Sequence, residues 1–120
     1  MEVYRRALGF VRTANAIRAR LPPGRAALAD QLDRAAVSIP LNIAEGAGEF
    51  ARREKARFYR IARRSATECA AILDVVRELQ LGDAAAIAAA KDDLRAIVAM
   101  LIGLGKWAET SAPRNDKKPP

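Results

Sequence analysis

The chain has 120 residues, enough to bury one core and too few for two. Hydrophobic residues make up 51% but aromatics only 5%, so the core is aliphatic; abundant alanine favours helix, and the absence of alternating β-branched runs argues against strands. Lys and Arg number 21 against 14 acids, a net charge of +7 that attracts nucleic acid, anionic membrane or acidic proteins, while a single cysteine precludes an intramolecular disulfide.

The first predicted helix runs over about 2–20, on Val3, Ala7, Phe10, Ala14, Ile17 and Leu21, whose alternating spacings of 4 and 3 are those of bundle helices. Pro22-Pro23-Gly24 ends it, since two prolines cannot continue the hydrogen-bond ladder. The second, about 25–45, uses Leu28, Leu32, Ala35, Ile39, Asn42 and Gly46 in the same rhythm. Pro40 within it removes a backbone donor and predicts a bend near Ala36, and Gly46-Ala47-Gly48 reads as its cap and turn.

The third helix, about 52–81, carries Phe58, Ala62, Ser65, Cys69, Ile72, Val76 and Leu79 and would span roughly 45 Å. Gly82 is expected to cap its end, and Asp83 to cap the start of the fourth helix, about 84–107. That helix has the seam Ile87, Ala90, Leu94, Ile97, Leu101 and Leu104. Residues 110–120 are polar and proline-rich and read as a disordered tail behind a domain over 1–109. Short connections between four such helices predict an all-α, antiparallel up-down-up-down bundle. Tyr4, Leu8 and Val11, with Val98 and Ile102, form surplus apolar lines that suit either an intersubunit face or a wide core stripe.

The segment Arg34-Ala-Ala-Val-Ser-Ile-Pro-Leu-Asn-Ile-Ala-Glu-Gly46 resembles the signature of the 23S rRNA intervening sequence protein family, as do Leu21-Pro22, Gln31-Leu32 and Phe58–Glu68. The resemblance covers about residues 3–107. It implies a four-helix bundle in a ring-like homopentamer, and a similarity to the basic accessory proteins of diversity-generating retroelements, which work with a reverse transcriptase and nucleic acid. Two positions depart from the pattern: Arg64 stands where glycine is usual, and Glu49-Phe50-Ala51 lacks the usual basic residue and serine-type cap, leaving the third helix without an obvious N-cap.

Without histidine the chain lacks the commonest general base and zinc ligand, and it has no nucleotide-binding glycine loop. A non-enzymatic protein without cofactors or metals is therefore expected. Cys69, on a seam, reads as a buried, inert thiol. Gln31, Ser38, Asn42 and Glu45 share one edge of the second helix, as a polar pocket or as a device that fixes helix register. On the expected hairpin geometry Arg34 lies level with Glu68 and is predicted to pair with it.

Arg52, Arg53, Lys55, Arg57, Arg60, Arg63 and Arg64 face only one acid, Glu54, within thirteen residues. Arg53, Arg57, Arg60 and Arg64 form a solvent-facing stripe about 16 Å long, able to meet several phosphates. Tyr59 is expected on the exposed side nearby, so that base stacking would be scant and binding largely independent of sequence. The stripe reads either as a solvating surface or as a phosphate-contacting one. The expected function is an oligomeric nucleic-acid-binding accessory protein in the cytoplasm, with no membrane role. The alternative is a structural adaptor for a protein partner. The start of the chain does not lead into a signal-type apolar stretch.

Overall fold

The computed structural model describes residues 1–110. Four helices, α1 (Glu2–Ala19), α2 (Ala26–Gly48), α3 (Arg52–Glu78) and α4 (Ala84–Thr110), are joined by short turns, the first holding a single 3-10 turn at Pro23–Arg25. No strand occurs among the described residues. Each helix packs closely against two others, in the cyclic order α1, α2, α3, α4, and among the described residues the backbones of the diagonal pairs stay apart. The result is a rod of 52 × 22 × 19 Å. Among the described residues no helix is long and apolar enough to cross a membrane.

The seams read from the sequence are the core. Val3, Ala7, Phe10, Ala14 and Ile17 of α1 are buried, as are Leu32, Ala35 and Ile39 of α2 and Ile87, Ala90, Leu94, Ile97, Leu101 and Leu104 of α4. In α3 the buried stripe is wider than one seam. Tyr59, Ala66 and Leu73 join Ala62, Ser65, Cys69, Ile72 and Val76, because α3 packs against both α2 and α4 and needs two adjacent lines to do so. Phe58 is half-buried as a consequence, and Leu79, beyond the last helical turn, is 43% exposed. The surplus apolar lines divide: Tyr4 and Val98 pack onto the core, whereas Leu8 and Ile102 stay exposed.

The expected tail over 110–120 falls outside the described residues from 111 onward, and Thr110 is the last residue of α4. At the start of α4 Asp83 Oδ2 accepts from the Ala86 amide at 3.0 Å, the expected N-cap. Ala51 precedes α3 and makes no side-chain cap bond, in keeping with the departure seen in the sequence.

Two glycine expectations are corrected. The end of α3 is closed by Gln80, not Gly82: the Gln80 amide donates to Arg77 O and the Leu81 amide to Val76 O, both at 3.0 Å, while Gln80 sits at φ 57°. This is the paired-bond ending usually built on glycine, so a glutamine there holds a conformation that costs a residue with a Cβ about 1 kcal/mol. Gln80→Gly is therefore expected to stabilise the protein by up to about 1 kcal/mol, read as a higher urea midpoint at unchanged m-value. Gly46 does not turn the chain either; it lies inside α2, which continues to Gly48. A Cβ at Gly46 would stand 2.7 Å from Tyr59 Cε1 and 3.2 Å from Phe58 Cβ, so its role is to let α2 and α3 approach closely.

Candidate functional site

The basic residues of α3 divide by what they touch. Lys55 turns back to α2, where its Nζ donates to Gly46 O and Ala47 O, each at 3.1 Å. Helices leave their last carbonyls without partners, and this ammonium satisfies two of them at the negative end of the helix dipole. Burial lowers the Lys55 pKa from its ordinary value, with the nearby Glu49 charge opposing the shift. Lys55 thus ties the end of α2 to α3.

The rest of the group lies outward. Arg53, Arg57, Arg60 and Arg64 are exposed, and Arg52 and Arg63 half-exposed. Arg57 pairs with Glu54 at 3.1 Å and lies 4.5 Å above the Phe58 ring, which orients its guanidinium by cation–π attraction. Arg60 pairs loosely with Glu109 of α4 at 3.7 Å. Such surface pairs contribute at most about 1 kcal/mol, so they leave these cations open to exchange partners. Arg52, Arg53, Arg63 and Arg64 form no ion pair among the described residues.

Tyr59 is a correction. It is 1% exposed, packed beneath the arginines rather than beside them, and its hydroxyl has no hydrogen-bond partner among the described residues. The aromatic residue that does stand free is Phe50, fully exposed in the turn two residues before Arg52. Sequence reasoning passed over Phe50. The available signal was its position in a three-residue connection, too short to fold an aromatic side chain back onto a core.

Along the edge of α2 the polar residues separate. Ser38 Oγ lies 2.8 Å from Ser65 Oγ of α3, and Asn42 Nδ2 donates to Ser38 O at 2.8 Å and to Ser38 Oγ at 3.0 Å. Ser38, Asn42 and Ser65 are one bonded cluster in the α2–α3 seam. Gln31 and Glu45 are exposed and stand apart from it. The expected Arg34–Glu68 pair is absent from the ion pairs of the described residues, and both side chains are exposed. The level was nearly right, since Ser38 does meet Ser65, but Arg34 and Glu68 sit on outward faces where no packing brings them together.

Cys69 is fully buried, and burial, followed by the adjacent Glu68 charge, pushes its thiol up to about 12. At neutral pH it is protonated and out of reach, the inert state read from its seam position.

Four long helices around one core, with a polar cluster inside one seam and an arginine face outside it, define the class: a small, basic helical protein. The sequence profile of the 23S rRNA-intervening sequence protein family matches residues 1–103, and the chain belongs to that family. Among curated proteins no match is found.

Proposed function

We propose that this family member is a non-enzymatic, self-associating four-helix bundle that binds the phosphate backbone of RNA or DNA through the outer face of α3. The single observation that carries the reading is the cluster of Arg52, Arg53, Arg63 and Arg64, which lack ion-pair partners among the described residues on a face that buries none of them. Arginine forks match phosphate oxygens in pairs. Antiparallel order is supported by contacts that climb one helix as they descend its neighbour: Ser38 with Ser65 and Gly46 with Tyr59, and Asp74 with Lys91 and Arg60 with Glu109. Self-association, in the ring-like pentamer implied by the family resemblance, is supported by exposed Leu8 and Ile102. A ring would repeat the arginine face and raise affinity through avidity.

Replacing Arg53, Arg57, Arg60 and Arg64 by Glu is expected to abolish retention of a single-stranded RNA probe at 50 mM salt. In the parent protein, affinity should fall steeply as salt rises, because each neutralised phosphate releases counterions. Undiminished retention by the charge-reversed variant overturns the reading. A second reading, an adaptor for a protein partner, is favoured by a shallow apolar groove between α3 and α4 lined by Ala66, Ala70, Leu94, Val98 and Ile102. Under it, the charge reversal leaves partner capture intact.

A further inference from the structure

Arg60 and Arg63 do more than face solvent. Together with Ala56 and Tyr59 they form one wall of a cavity of about 200 Å³ between α3 and α4, whose other wall carries Gly105, Lys106 and Glu109. Three cations and one carboxylate converge there, and the space is smaller than the roughly 300 Å³ at which drug-sized sites begin. Gly105 lies in the α4 wall, and a Cβ there would meet nothing within 4 Å, so this position has room for a larger side chain.

Tyr59, 1% exposed, closes the floor of the cavity, so the groups that reach into it are the charged side chains of its two walls.

We propose that this cavity is a seat for one phosphate group, held by Arg60, Arg63 and Lys106 at its rim. The seat rests on the reading of the α3 face as phosphate-binding and deepens it, giving a diffuse charged surface one defined anchoring point and adding Lys106 to it. Glu109, which pairs with Arg60 at 3.7 Å, is the internal competitor that an incoming phosphate displaces. The phosphate comes either from a nucleic-acid strand or from free phosphate in solution.

The test uses the full chain and inorganic pyrophosphate at constant ionic strength, with sodium chloride as reference. At 10 mM, pyrophosphate is expected to raise the melting temperature by about 5 °C over chloride. Gly105→Leu, which fills the cavity without changing any charge, should remove that rise. Lys106→Gln should reduce it by at least half. An equal rise in the parent and in Gly105→Leu overturns the seat, as does an unaltered response in Lys106→Gln. A 5′-phosphorylated RNA oligomer that outcompetes its 5′-hydroxyl counterpart identifies the strand end as the source; equal competition together with a pyrophosphate response identifies free phosphate. Retention of RNA by Gly105→Leu at the parent's salt dependence, with the pyrophosphate response intact in both, defeats the seat while leaving the nucleic-acid reading standing.

Discussion

Gly46→Ala is expected to destabilise the protein by about 2 kcal/mol, and Gly103→Ala to stabilise it by about 0.5–1 kcal/mol, although both exchange a helical glycine for the best helix former. The intrinsic gain of up to about 1 kcal/mol applies to each. At Gly103 it stands alone, because a Cβ there meets nothing within 4 Å. At Gly46 the new methyl would lie 2.7 Å from Tyr59 Cε1 and 3.0 Å from Cδ1, far inside contact distance. Tyr59 is 1% exposed and its ring packs against α2, so relief of the clash requires α2 and α3 to part. Overpacking of that kind costs typically about 1–3 kcal/mol, occasionally more, and outweighs the propensity gain. Urea unfolding of the two variants beside the parent checks both signs at once. A gain of stability in both variants would show that helix propensity alone governs both positions and that the α2–α3 approach is not close.

The second large effect is a loss of stability in alkali. Burial and the Glu68 charge push Cys69 from 9.0 to about 12, so above pH 9 the unfolded chain releases a proton that the folded chain keeps. A folded state that holds the extra proton loses stability as pH rises, by up to 1.36 kcal/mol per unit, or roughly 2–3 kcal/mol by pH 11. This contribution is fully present below pH 9 and disappears as pH climbs toward the folded value. Tyr59, raised above its ordinary 10.0 by burial, adds a change of the same sign at higher pH. Lys55 acts in the opposite sense, because its lowered pKa lets the folded chain release its proton first, but it is only partly buried and its effect is correspondingly screened. Cys69→Ala should lose about 1 kcal/mol at pH 8 through the small cavity it leaves, and should flatten the decline between pH 9 and 11. Parallel pH profiles for the two proteins would remove Cys69 as the cause.

What the residues disclosed in advance was periodic. Val3, Phe10 and Ile17, or Ile87, Leu94 and Leu101, repeat at intervals that place them on one side of a helix whatever their neighbours are, and all six are in the core. Asp83 was legible for the same reason, as a cap is made with the amide three residues on. The misses concern relations between helices. Tyr59 lies one residue from Phe58, and no count of spacings tells which of the two goes inward until the positions of both partner helices are fixed. Gly46 looked like punctuation because glycine serves turns and close contacts alike, and only the ring opposite decides between them. Gln80 was hidden because glutamine rarely takes a left-handed conformation, while Gly82 two residues on offered an easier ending. Of the candidate site, the arginine cluster was plain from charge, but the withdrawal of Lys55 to the end of α2 and the share of Lys106 in the cavity wall depend on contacts between helices.

The Ser38–Asn42–Ser65 cluster has a mechanical consequence. A greasy seam tolerates gliding, for one aliphatic contact replaces another at little cost, whereas this seam carries an indexing pin. Displacing α3 by a single turn would break the Ser38–Ser65 bond and leave the Ser65 hydroxyl without its partner, while the Asn42–Ser38 bonds stay within α2. Together with the Lys55 tether, the pin makes α2 and α3 one stiff lever.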